Sequence, residues 1–352
     1  MTTGHESAQG PGPAPADWAS LAERAGRSVH ARFGHRLMGL PGTWMGAISI
    51  PVPQPQTPWS DWHYWWQVHF LDALVDAGLR SWRSGDHDAA GAAARAARAL
   101  LRGILLRNFL RFPNYFYDDM AWLALAAGRL QELSLLASGK PARLAKHAVR
   151  GLGRQLNRAH DDVLGGGLYW SRKRDYKNTP VNGPAALHFA RSGDPQTAKA
   201  VLDWLHAELF DPATGLYLDG IHPSATGRDV ERTIYSYNQG TVLAALLRCG
   251  DPAGLDRAAE LVAAVGRELT DPATGALRHD TDGDAGLFTG ILCRYLALAS
   301  VDSRLPLPTR TTAANLVRAT ATVLLGEAEP VQLSGAVQRW TVLEAAATLG
   351  PG

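Results

Sequence analysis

Residues 211–215 read Asp-Pro-Ala-Thr-Gly, and the same five residues return in the same order at 271–275. Each copy closes an amphipathic run ending in Glu-Leu, Glu208-Leu209 in one and Glu268-Leu269 in the other. The same parts precede each: an Asn-containing helix start, an apolar helix, a Gly-Asp-Pro boundary (Gly193-Asp194-Pro195 and Gly250-Asp251-Pro252) and a second helix. In those boundaries Asp is suited to the N-cap and Pro to the first helical position. A diverged third version lies at 161–170, Asp-Asp-Val-Leu-Gly-Gly-Gly-Leu-Tyr-Trp. The repeating unit is a helical hairpin followed by a Gly-rich turn.

Outward from these units, apolar periodicity and capping residues predict twelve helices. They run over 17–32, 62–83, 87–110, 118–135, 141–159, 180–192, 195–209, 231–248, 253–269, 284–300, 309–326 and 335–348. Helical hairpins bury their apolar faces only against neighbours, so they stack into a solenoid or close into a ring. These units are longer and less regular than common solenoid repeats, and six hairpins fit an all-α (α/α)6 barrel. The expected organisation is a disordered Gly/Pro/Ala/Ser-rich tail at 1–16 and one barrel domain over 17–352.

Composition narrows the function. Lys and Arg number 35 against 33 Asp and Glu, and this near balance argues against a nucleic-acid binder. Apolar runs such as 89–106 are broken by Arg or Gly, so no membrane span is expected. With no export signal evident at the start, a cytoplasmic monomer is the expectation. Cys249 and Cys293 sit in apolar helical runs and read as free thiols. No HExxH, CxxC, phosphate loop or GxSxG elbow occurs, so neither metal nor cofactor is expected.

The even-numbered helices carry aromatic and amide residues at or just before their N-termini. The segments are WSDWHYWW (59–66), NYFYDD (114–119), KNTPVN (177–182), YSYNQG (235–240) and DAGLFTG (284–290). In an (α/α)6 barrel the alternate helices form the inner ring, and their N-termini open on one face around one pocket. Within that pocket Asp118 and Asp119 are the candidate catalytic pair. Adjacent carboxyls among aromatic rings repel each other and are desolvated, so one ionises while the other keeps its proton. Glycoside hydrolysis requires that combination. Trp62, Trp65 and Trp66 are candidates to stack on sugar faces, and Asn182, Tyr237, Asn238 and Gln239 to meet sugar hydroxyls. Asp161-Asp162 reads as turn chemistry beside its glycines.

These motifs resemble glycoside hydrolase family 76, the endo-α-1,6-mannanases, in particular its actinobacterial members. The resemblance rests on Tyr117-Asp118-Asp119-x-Ala121-Trp122, Tyr64-Trp65-Trp66-Gln67, Lys177-Asn178-x-x-x-Asn182-Gly183 and Tyr237-Asn238-Gln239-Gly240. Phe288-Thr-Gly-Ile-x-x-Arg294-Tyr295 adds weaker support. It implies an (α/α)6 barrel and a retaining α-1,6-mannosidic cleavage of mannan or manno-oligosaccharides. Asp118 would be the nucleophile and Asp119 the general acid and base, with Tyr117 and Trp122 added to the substrate-binding set. Met120 and Thr289 depart from the Glu and Lys common at those places. Two other classes fit a sugar pocket on this barrel. One is an epimerase of the N-acylglucosamine 2-epimerase type working through His63, His69 and His188; the other is a glycan-binding barrel without catalysis.

Overall fold

Among the described residues, twelve α-helices form close to where the periodicity places them. The computed structural model describes residues 17–52, 60–224 and 227–349, so the expected tail at 1–16 and Trp59 lie outside the described residues. The helices are α1 (Trp18–Phe33), α2 (Tyr64–Arg83), α3 (His87–Arg107), α4 (Tyr117–Ser138), α5 (Arg143–Ala159) and α6 (Thr179–Arg191). They continue as α7 (Pro195–Leu209), α8 (Ser236–Cys249), α9 (Pro252–Glu268), α10 (Ala285–Val301), α11 (Leu307–Gly326) and α12 (Leu333–Ala347). Asp194 and Asp251 cap α7 and α9 by accepting from Thr197 N–H and Gly254 N–H, with Pro195 and Pro252 as first helical residues.

The ring closes. Among the even-numbered helices each packs on the next, α2 on α4, α4 on α6, α6 on α8, α8 on α10 and α10 on α12, and α12 returns to α2. A solenoid would leave its first and last inner helices apart. These six are apolar and buried around most of their girth, as α4 shows with its buried run from Met120 to Ala127. The odd-numbered helices are amphipathic and pack outside, each against its hairpin partner, with α1 against α12. Cys293 is buried and Cys249 half-buried, both as free thiols. No described helix is long and apolar enough to cross a membrane.

The largest departure from the expected boundaries is at the start of α8. The helix predicted from residue 231 begins at Ser236, because Gly227–Glu231 pairs antiparallel with Gly220–Ser224, setting Ile221 opposite Val230. A backbone bond from Asp219 N–H to Thr233 C=O, 2.8 Å, extends that ladder toward α8.

The Gly-rich turns are fastened to the inner ring by a recurring device. Gln67, Asn182 and Gln239 are each the fourth residue of their helix and fully buried. Each side chain accepts from and donates to the backbone of one residue in the incoming loop: Gly46 (2.8 and 2.8 Å), Leu168 (2.8 and 3.0 Å) and Tyr217 (2.9 and 2.9 Å). Each amide nitrogen also donates to a carbonyl just before its helix: Trp62, Asn178 or Tyr235. An amide offers one acceptor and two donors, and here all are satisfied without water.

A second polar layer lies inside the ring, toward the C-terminal ends of the inner helices. Arg129 of α4 bridges Asp72 and Asp76 of α2, and Arg294 of α10 reaches the same two carboxylates at 3.1 and 2.8 Å. Burial pushes Asp72 up, but the two guanidinium groups outweigh it and hold its carboxyl at about 2. Glu344 of α12 pairs with Arg80 at 2.7 Å. Removing one partner from such a network strands the other charges. Arg294→Met should therefore cost about 3–5 kcal/mol of stability in urea unfolding.

Candidate active site

Five of the six inner helices deliver residues, at or just before their first turns, to one open cavity of about 570 Å³. Asp118 and Asp119 are the second and third residues of α4, where free N–H groups and the helix dipole favour negative charge. Neighbouring helical residues point about 100° apart, so the two carboxyls present different faces to the cavity.

Their surroundings differ. Asp118 accepts from the N–H of Asp119 at 2.9 Å and from the indole N–H of Trp170 at 2.9 Å. Among the described residues, Asp119 accepts only the side-chain N–H of Asn114, 2.6 Å away, whose oxygen in turn holds Phe116 N–H. Burial pushes Asp118 up to about 6, with its two donors working against the rise. Burial and the adjacent Asp118 charge drive Asp119 well above the usual carboxylate range. One ionised and one protonated carboxyl at neutral pH follows.

Aromatic rings make much of the wall. Trp65 meets Tyr237 and Phe288 edge-on at 5.8 and 6.0 Å, and Tyr237 stacks on Phe288 at 4.2 Å. Trp122 packs on Trp65 at 6.3 Å, and Trp66 donates to Asp284 at 2.6 Å. Opposite, Asp219 accepts from Tyr176 O–H at 2.6 Å and Asn238 at 3.1 Å. Burial raises the Asp219 carboxyl, and those two donors oppose it. Two lining residues, Trp65 and Asn178, have a buried indole N–H and a side-chain oxygen with no partner among the described residues. Unpaired buried polar atoms are rare and call for a ligand or water to complete them.

The structure thus brings Trp65, Trp66, Asp118, Asp119, Trp122 and Tyr237 together, and corrects the other expectations. Asn182 and Gln239 are loop clamps whose polar atoms are already engaged. Asn238 acts at one remove, holding Asp219. Tyr117 is buried behind the wall, its N–H on Trp170 C=O at 2.7 Å. Trp62 turns to a separate recess beneath Arg107, 5.5 Å from its ring. Among the described histidines, only His63 lines the cavity. Burial lowers His69 to about 3 and His188 to about 4, and neither lines it.

Asp161 also proves more than turn chemistry. The fully buried Lys177 binds its carboxylate at 2.7 Å and the carbonyls of Val163 and Gly166 at 2.6 Å. Lys177 and Asn182 together fix the loop that carries Trp170 to Asp118. The sequence does not single out Asp219 and makes Trp170 only a weaker aromatic candidate, although the repeat holds the signal of both. Each stands two residues past a clamped residue, Tyr217 or Leu168, and residues two apart on an extended strand share a face.

If Gln239 is a clamp, Gln239→Leu leaves Tyr217 and Tyr235 backbone groups unpaired and costs about 2–4 kcal/mol in urea unfolding. Unchanged stability with a raised KM would make it a sugar contact instead.

The model of glycosyl hydrolase family 76 matches residues 41–341. Among solved structures, the α-1,6-mannanase of Salegentibacter sp. HEL1_6 is 28% identical, with TM-score 0.81 over 95% of this chain and 100% of that one. An inactive variant of that mannanase, with two consecutive aspartates changed to asparagine, is in complex with α-1,6-mannotriose; it is 27% identical with TM-score 0.82 over the same shares. A family 76 glycoside hydrolase of Bacteroides thetaiotaomicron, 18% identical with TM-score 0.75 over 95% of this chain and 77% of that one, shares the fold. No curated protein matches the sequence.

Proposed function

The chain belongs to glycosyl hydrolase family 76, and from that premise we propose that it cleaves α-1,6-linked mannose chains by double displacement on Asp118 and Asp119. The observation that carries the proposal is the unequal pair: two adjacent carboxyls in one aromatic cavity, one with two donors and one with a single neutral amide. Asp119, protonated, gives its proton to the departing glycosidic oxygen while ionised Asp118 attacks the anomeric carbon. The covalent glycosyl-enzyme is then opened by water. Asp119, now a carboxylate, takes the water's proton, and two inversions leave the product with its starting configuration. Trp65, Trp66, Trp122 and Tyr237 supply apolar faces for the sugar rings, and Asp219 and Asn178 oxygens accept hydroxyl protons.

The inactivation of the Salegentibacter enzyme by changing two consecutive aspartates supports this assignment. The test is chromatography of products from linear α-1,6-mannotetraose beside α-1,2- and α-1,3-linked mannobioses. Cleavage of the first alone is expected, and cleavage of the others alone would refute the linkage.

A further inference from the structure

Helix α5 departs from the rest of the outer ring. Between Glu132 and Asp161 the chain holds no acidic residue, and within that stretch α5 carries Arg143, Lys146, Arg150, Arg154 and Arg158. Successive members stand three or four residues apart, so the charges form one stripe along the helix. All five are exposed, and none of their side chains has a hydrogen bond or ion pair among the described residues.

This arrangement costs helix stability. Like charges at that spacing repel, and cations in a first turn oppose the helix dipole. Four other outer helices, α1, α3, α7 and α9, begin on an Asp whose side chain caps the first turn, whereas α5 begins on Ala142 without a side-chain cap. Cations of α7 and α9 are paired, Lys199 and Arg257 with Asp203 and Arg267 with Glu268. A local rule broken with no structural return is the mark of a functional surface.

The charge is also segregated around the ring. In a chain of net charge +2, α5 has five Lys and Arg and no acid, and α3, which touches it, has four Arg against Asp88. Helices α7 and α9 together hold three Lys and Arg against five Asp and Glu. The cationic excess therefore lies on one flank.

That flank meets the rim of the catalytic face. Arg172, on the loop that carries Trp170, donates to Gln155 of α5 at 3.2 Å and to Asn114 C=O at 2.9 Å. Next to Asn114 stands Tyr115, 49% exposed, and Leu110, 71% exposed, lies in the turn between α3 and α4. A broad cationic flank edged by an exposed phenol and an exposed leucine matches a layer of phosphate headgroups over acyl carbon. A soluble polyanion would need the charges alone.

We infer that the flank formed by α3 and α5 binds the surface of an anionic phospholipid bilayer, with the rim of the catalytic cavity against it. The inference concerns a different face from the catalytic one and does not rest on the mannanase reading.

The test is co-sedimentation with vesicles of phosphatidylcholine alone and of phosphatidylcholine with about one-third phosphatidylglycerol. Wild type should bind the second and not the first. Salt at about 1 M, which shortens the screening length to about 3 Å, should release it. The triple variant Lys146→Gln/Arg150→Gln/Arg154→Gln should bind about a hundredfold more weakly. Its Tm should match or exceed that of wild type, because like-charge repulsion is relieved, so weak binding does not report unfolding. A control variant, Arg24→Gln/Lys199→Gln/Arg318→Gln, removes as much charge from other outer helices and should bind as wild type does. The inference is overturned if wild type ignores the anionic vesicles or binds neutral ones equally, or if the control loses as much affinity as the α5 variant. Binding of wild type to soluble polyphosphate but not to vesicles would overturn it as well, and would assign the flank to a linear polyanion.

Discussion

With Asp118 replaced by Asn, cleavage of α-1,6-mannotetraose falls by roughly 10⁴-fold or more, because no nucleophile remains to form the glycosyl-enzyme. The substitution keeps the side chain's shape. Its remaining oxygen can still accept from Asp119 N–H or Trp170, so the fold and the aromatic wall persist. Binding of mannotriose, followed by calorimetry, should therefore survive while turnover does not. Loss of both together would mean that the variant fails to assemble the cavity. Retention of turnover would remove Asp118 from the mechanism.

Asp119→Ala fails differently. With a poor leaving group, rate falls by about 10²–10⁴-fold, the usual worth of a general acid. An activated aryl mannoside needs no proton, so it still loads the enzyme, and the covalent species then waits for a base that is gone. Added azide, which needs no base, should restore turnover and release an α-mannosyl azide. No azide rescue would contradict the role of Asp119. The pair also sets the pH profile. As pH falls through about 6, Asp118 gains a proton and the nucleophile is lost. At alkaline pH Asp119, raised by burial and its neighbour, loses the proton it must donate. A bell follows, its acid limb near 6 in wild type. Trp170→Phe, which removes a donor from the Asp118 anion, should move that limb upward.

The same shifts predict a stability gain. Both carboxyls titrate higher in the fold than in the unfolded chain, so stability falls as pH rises from the unfolded value through the folded one. Each Asn variant should thus raise Tm at pH 7, by about 2–5 °C. The gain should vanish below pH 3.8, where the unfolded chain is protonated as well. A gain independent of pH would have another origin.

The ring and its open face were legible because they depend on local signals: apolar periodicity, Gly-Asp-Pro boundaries and a turn repeated sixty residues apart. The catalytic pair was legible because Asp118 and Asp119 stand together in an aromatic segment. Residues that act across the loops were harder to place. An Asn or Gln at a helix start looks the same whether its partner is a sugar or a strand, and only tertiary structure brings Tyr217 against Gln239. Asp219 looks like an ordinary turn residue until Tyr176 and Asn238 are seen to hold it at the cavity. Lys177 opens one of the five segments expected around the pocket, yet its buried ammonium acts one layer behind, on the loop that positions Trp170. Trp62 shares the aromatic run of α2 but lies ahead of its first turn, and faces a different recess.

The central claim is double displacement at an α-mannosidic bond. Proton NMR of the first anomer released from α-1,6-mannotetraose, read before mutarotation, tests it most directly. The α-anomer appearing first with wild-type enzyme, and no product with Asp118→Asn, is the predicted result. The β-anomer appearing first would require a single displacement by water and would contradict the roles given to both aspartates.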